Sequence, residues 1–160
     1  MRVIVLVLVG ALLAGCGGGG GSSAGSAVPP GKVTVEIGTQ SGSATTVLYA
    51  VEFTLQLPSG VALAADSSGA LSEGVLQPVD SAALAGARYL PATSALPATV
   101  KVDLIDPLGF AAGALASLNA SVASGTTPDS SGFVVQDFSA RDVNGAVMAG
   151  ITPRLVVRTQ

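Results

Sequence analysis

The chain has 160 residues, of which seven are basic, ten are acidic and none is histidine, so its net charge at neutral pH is −3. This balance lacks the basic excess that nucleic acids and anionic lipid surfaces attract, and we expect no nucleic-acid partner. Cys16 is the only cysteine, which excludes an intrachain disulfide, the usual His/Cys zinc sites and the Ser-His-Asp and Cys-His catalytic arrangements. The folded part must therefore be held together by its core.

The first fifteen residues have the layout of an export signal. Arg2 is followed by an apolar run at positions 3–13, which is shorter than the roughly 20 residues that a membrane-spanning helix needs. The motif Leu-Ala-Gly-Cys that ends at Cys16 resembles the lipobox of bacterial lipoproteins. In that family the cysteine sulfur receives a diacylglyceryl group, the chain is cut before the cysteine, and the new amine is usually acylated. The resemblance implies a signal peptide at 1–15; the alternative is an ordinary cleaved signal with a cysteine there by chance.

Acyl chains on Cys16 would attach the protein to the cell envelope. Two chains hold a protein stably on a bilayer, whereas one chain holds it only marginally. Gly17 follows the cysteine, and by resemblance to the sorting pattern of Gram-negative lipoproteins this implies the outer membrane. Residues 16–31 are rich in Gly, Ser and Pro, which predicts a flexible linker with a reach of about 20 Å.

From residue 32 onwards the pattern changes to short segments of alternating apolar and polar residues. The longest is 47–57, where six apolar residues occupy every second position and a Pro-Ser-Gly turn follows. Further strands are predicted at 33–37, 74–77, 100–104, 113–122, 133–140, 146–149 and 154–158. Residues 106–109 are predicted to close their strand as a turn, and 81–87 are predicted to form a short helical turn capped by Asp80. Eight or nine short strands with almost no helix predict an all-β domain at 32–160, folded as an antiparallel β-sandwich.

Two of these segments resemble a known family. The strand 47–57 with its Pro58-Ser59-Gly60-Val61 ending, and the Gly-x-Leu-Ala-x-Leu pattern within 113–122, are similar to strands of cohesin-type domains. The resemblance implies a nine-stranded jelly-roll sandwich related to certain carbohydrate-binding modules. Cellulosomal members of that family bind dockerin domains of enzymes. The chain contains no dockerin-like calcium repeat, so such a partner would be a separate protein.

The outward side of the long strand is the predicted interaction face. If 47–57 alternates throughout, this side presents Leu48, Ala50, Glu52, Thr54 and Gln56. The set is small, mildly apolar and nearly uncharged, as the centre of a protein interface tends to be. We therefore expect a non-catalytic protein-binding or scaffold module without a cofactor, and the scattered acidic residues offer no facing pair for catalysis.

Two other kinds of site stay open from the sequence. A carbohydrate-binding module on the cell surface would use exposed aromatic rings, and Tyr89, beside Leu90-Pro91, is the only aromatic residue predicted to lie in a loop. Asp137, Asp142 and Asn144 are weak candidates for calcium ligands, although turn chemistry explains the last two without a metal. A structural envelope lipoprotein is the third possibility.

The lipid anchor gives the first prediction. Metabolic labelling with a radiolabelled fatty acid should mark the wild-type protein and not Cys16→Ser, because the sulfur is the predicted attachment point. The variant should remain uncleaved or become soluble. Equal labelling of both proteins would rule the anchor out.

Overall fold

The structure is a computed structural model that describes residues 29, 31–43 and 45–160. Within them the chain forms nine strands: β1 (Gly31–Ser41), β2 (Val47–Gln56), β3 (Val61–Ala62), β4 (Leu76–Pro78), β5 (Leu84–Leu90), β6 (Thr99–Ala111), β7 (Ala114–Val122), β8 (Val134–Arg141) and β9 (Ile151–Thr159). A 3-10 turn at Ser130–Gly132 precedes β8. Cys16, the predicted signal at 1–15 and nearly all of the predicted linker lie outside the described residues.

The strands form two antiparallel sheets. Sheet A has the order β3-β7-β1-β9, and β4 also pairs with β7. Sheet B has the order β5-β6-β2-β8. The inward residues of both sheets, among them Val33, Phe53, Val102 and Leu118, form one buried core. The predicted antiparallel β-sandwich is confirmed, because each central strand places every second side chain between the sheets.

The two ends of the sandwich differ in what they hold. Gly31 pairs with Val122, and the Gln160 amide donates to the Lys32 carbonyl at 2.9 Å, so both ends of the described chain lie together at what we call the basal end. The opposite, apical end carries the β1–β2, β4–β5, β6–β7 and β8–β9 connections.

The start of β2 corrects one expectation. Leu48 was expected to point outwards, but it is fully buried, whereas Val47 is 45% exposed. The pairing of β2 with β6 shifts register between Leu48 and Ala50. Such a bulge reverses the alternation of side chains, so only the part of the strand beyond it keeps the predicted phase.

The cause of this shift lies in β6. Asp106 to Gly109 do not close the strand as predicted; they bulge out and the strand continues to Ala111. The buried Asp106 side chain accepts a hydrogen bond from the Leu108 amide at 2.8 Å, which fixes the bulge. Gly109 has φ +80°, and a Cβ there would lie 2.5 Å from Cγ1 of Val47. Glycine is therefore required for β2 to pack against the bulge.

Two further segments differ from the prediction. Residues 81–87 do not form a helical turn; Asp80 Oδ1 accepts from the Ala82 amide at 2.9 Å in a tight turn, after which β5 pairs with β6. Pairing along a whole strand outweighs the helical propensity of this alanine-rich stretch, because propensity is a weak determinant beside tertiary context. At 146–149 the structure has only an isolated bridge from Val147 to Arg141. The other predicted strands are confirmed, with small shifts at their ends.

The core gives the second prediction. Phe53 is 1% exposed, and Phe53→Ala should lower the free energy of unfolding by about 3–5 kcal/mol because it leaves a cavity between the sheets. Glu52→Ala, on the outer face, should cost less than about 1 kcal/mol. Urea unfolding of both variants measures this, and equal losses would mean that the inner face of β2 is wrongly assigned.

Candidate functional site

The outer face of sheet B is a grid of four rows, each crossing β5, β6, β2 and β8 in register. From the apical end, the apical row is Leu84, Ile105, Ala50 and Arg141; the acidic row is Gly86, Asp103, Glu52 and Ser139; the basic row is Arg88, Lys101, Thr54 and Gln136; and the basal row is Leu90, Thr99, Gln56 and Val134. Antiparallel pairing places the members of each row side by side on one surface.

The apical row is apolar apart from its last member. Leu84 is 65% exposed and Ile105 is 49% exposed, and the two residues are direct cross-strand partners. Ala50 continues the apolar surface on β2. Arg141 ends the row, with its guanidinium donating to the Gly145 carbonyl at 3.0 Å. Two large aliphatic side chains thus lie together in solvent, next to a positioned cation.

The two middle rows of the grid carry opposite charges. Lys101 Nζ lies 2.6 Å from Glu52 Oε1. This hydrogen bond lowers the pKa of Glu52, and the positive charges of Lys101 and Arg141 lower it further. The same bond raises the pKa of Lys101, to which the nearby charges of Asp103 and Asp137 add. Because this ion pair is exposed to solvent, it contributes little to the stability of the fold. It does place a negative and a positive charge side by side on the surface.

Four of the five predicted face residues lie in this grid. Ala50, Glu52, Thr54 and Gln56 supply its β2 column, while Leu48 belongs to the core. The prediction missed Leu84, which was assigned to a helical turn, and Ile105. Ile105 could have been found, because it continues the outward alternation of Lys101 and Asp103 along β6.

Tyr89 is a further correction. It was expected to be exposed in a loop, but it lies in β5 at 7% exposure, opposite Val100, with its amide donating to the Gly69 carbonyl at 2.8 Å. Because residues 84–90 form a strand instead of a helical turn and a loop, the alternation along β5 turns the ring into the core. The structure describes all six aromatic residues of the chain: Phe53, Tyr89 and Phe133 are buried, and Tyr49, Phe110 and Phe138 are half-buried. The expected single ring for stacking on a sugar is therefore buried.

The weak calcium candidates occupy one turn of the backbone and one bulge in β8. Asp142 Oδ1 accepts from the amides of Asn144 and Ala146, both at 2.9 Å, which is the bonding of a turn. Asp137 has φ +52° where β8 bulges opposite β2. Among the described residues, no three or more His, Cys, Asp and Glu side chains are grouped as a metal site requires.

On the outer face of sheet A, polar side chains bond to one another across neighbouring strands, as Lys101 with Glu52 and Gln136 with Gln56 do in the grid. No large hydrophobic residue of the described sheet A strands is exposed, which is where the two faces differ. Thr34 Oγ1 donates to Asn119 Oδ1 at 2.9 Å. Arg158 holds both carboxylate oxygens of Glu36, at 2.7 and 3.2 Å, and this lowers the pKa of Glu36. This face binds its own side chains across neighbouring strands and offers a matched control surface.

Comparison with known proteins adds no assignment. No family model, no curated protein and no solved structure matches the chain. Over the described part of the chain, no helix has the length and apolar character needed to cross a membrane. A function must therefore be derived from the surface of this sandwich.

The charge pattern gives the third prediction. Lys101→Met should raise the pKa of Glu52 towards the ordinary value of a glutamate, because the hydrogen bond that lowers it is lost. Carboxyl-carbon NMR titration measures the shift. Arg158→Met is the control, since it should raise the pKa of Glu36 and leave Glu52 unchanged. A Glu52 pKa that does not move in Lys101→Met would contradict the ion pair.

Proposed function

We propose that the chain is a non-catalytic protein-binding or scaffold module of the cell envelope, anchored by lipid on Cys16, and that it binds a protein partner through the outer face of sheet B. The observation that carries this proposal is the apical row, in which the exposed Leu84 and Ile105 lie side by side. Exposed large apolar groups bounded by charged rows are typical of a protein interface, with its apolar centre and polar rim.

The arrangement of charges supports a specific partner. The acidic row carries the negative charges of Asp103 and Glu52. The basic row beside it carries the positive charges of Arg88 and Lys101. This pattern of opposite charges favours binding of a partner with the complementary charges, and it repels a partner whose charges are displaced by one row. Burial of the aliphatic pair would supply affinity, and the charged rows would supply register.

The family resemblance agrees with this choice. Nine strands in two antiparallel sheets are compatible with the sandwich that the cohesin resemblance implies, and cohesin-type sandwiches recognise partners with a sheet face. By that resemblance, a dockerin-bearing protein is the first partner to test. Every aromatic side chain of the chain is buried or half-buried, which disfavours carbohydrate as the ligand because sugar rings stack on well-exposed aromatic side chains.

The attachment geometry would present the face to a partner. With Cys16 in the membrane, residues 16–31 lead to the basal end, where β1 begins at Gly31. The apical row lies at the other end of the strands, away from the anchor. A flexible linker with a reach of about 20 Å would let the face reorient towards its partner.

Ile105→Lys gives the fourth prediction. It places a charge at the centre of the apical row on a side chain that is 49% exposed, so we expect partner binding to fall at least tenfold while thermal unfolding changes little. Val156→Lys, which points outwards from β9 on sheet A opposite Glu36, is the matched control and should bind normally. Cross-linking in native membranes, followed by quantification of the co-purified proteins, measures both.

Two outcomes would contradict the proposed function. If the same proteins are recovered in the same amounts with both variants, this face is not the interface. If no protein is recovered, but soluble glycans retard the chain in an affinity gel, a carbohydrate-binding role replaces a protein-binding one.

A further inference from the structure

A pocket lies at the apical end of the sandwich, beside the apical row. It has a volume of about 330 Å³ and is formed by the β4–β5 connection and the chain from Gly109 to Leu115. Leu104 and Leu115, both buried, belong to its inner wall, and Phe110 also lines it. Val79 and Asp80 are exposed and lie at its rim. The inner wall of this opening is therefore formed by apolar side chains that belong to the core.

The pocket and the apical row form one continuous surface. Ala83 and Leu104 line the pocket, and the residues that follow them in the chain, Leu84 and Ile105, stand outwards in the apical row. The apical half of the described chain also carries seven of its ten exposed large hydrophobic residues: Val47, Val79, Leu84, Ile105, Leu108, Val143 and Val147. A partner that covers the apical row would thus lie over the mouth of the pocket.

One charged group marks the rim. Asp80 is the only ionisable residue among the eleven that line the pocket. Its side chain is oriented by the hydrogen bond from the Ala82 amide at 2.9 Å, so the carboxylate is held in place beside the opening. Its charge favours a positively charged occupant and disfavours a carboxylate or phosphate.

We propose that the pocket receives one apolar side chain of the protein partner, a leucine or an aromatic ring, carried next to a lysine or arginine that pairs with Asp80. This inference rests on the proposed function and adds the chemistry of the partner segment. The volume is at the lower end of the range for ligand pockets, which suits a single side chain better than a long acyl chain. A side chain buried in a pocket beside a charged rim is the usual form of an interface hot spot.

Benzylamine and phenylacetate are suitable probes, because they share a ring and differ in charge. Their binding to the full chain in lipid nanodiscs can be measured by saturation-transfer difference NMR. We expect benzylamine to bind about two- to fivefold tighter at low ionic strength, as an exposed ion pair permits, and the preference to shrink in high salt. Asp80→Asn keeps the acceptor for the Ala82 amide and should abolish the preference while both probes still bind.

A variant whose pocket is filled by a larger side chain provides a second test. Ala112 lines the pocket. Ala112→Phe should abolish the binding of both probes and weaken the binding of the partner at least tenfold. Ala123→Phe, at an exposed position beyond the basal end of β7, is the matched control and should bind as the wild type does.

The outcomes separate this inference from the proposed function. If Ala112→Phe retains the partner while Ile105→Lys loses it, the face binds a protein but the pocket holds no anchor. If neither variant loses the partner, both proposals fail. Equal affinity for the two probes in the wild type, or unchanged probe binding in Ala112→Phe, overturns the assignment of the pocket.

Discussion

The pairing of β2 with β6 in the middle of sheet B is the interaction on which the rest of the structure depends. These two strands run side by side from Gln56 and Thr99 at the basal end to Val47 and Ala111 at the apical end. Their inner sides supply much of the core, which must hold without a disulfide. Their outer sides supply the two central columns of the candidate interaction face. A change of register between them would therefore move residues of the core and of the face at once.

The bulge in β6 divides this pair into two parts with different consequences. On its basal side the alternation is regular, and Phe53, Leu55 and Glu52 lie where a simple period of two places them. On its apical side the phase is reversed and Leu48 is buried. The same bulge places Gly109 and Phe110 beside the apical pocket. This one bulge thus determines both the burial of Leu48 in the core and the shape of the pocket beside the apical row.

This division also explains how far the sequence could predict the structure. Alternation is a local property, so it identified the sandwich, most of its strands and four of the five face residues on β2. The phase at Leu48 could not be obtained locally, because it depends on the bulge at Asp106, which reaches β2 only through the sheet. The two ends of the apical row were hidden for a similar reason. Leu84 and Arg141 come from strands whose order in the sheet is a long-range property.

The two outer faces of the sandwich differ in what they leave exposed to solvent. Sheet A closes its polar groups on one another, as Glu36 does with Arg158. Sheet B also has an internal ion pair, but it leaves Leu84 and Ile105 adjacent and exposed. A single exposed leucine is ordinary in a folded protein, so exposure alone indicates nothing. Contiguity is different: two aliphatic neighbours beside a pocket with apolar side chains on its inner wall form a surface whose burial is favourable. Under the proposed function, the charged rows next to it would restrict which partners can cover it, since a wrong partner would leave charges buried and unpaired.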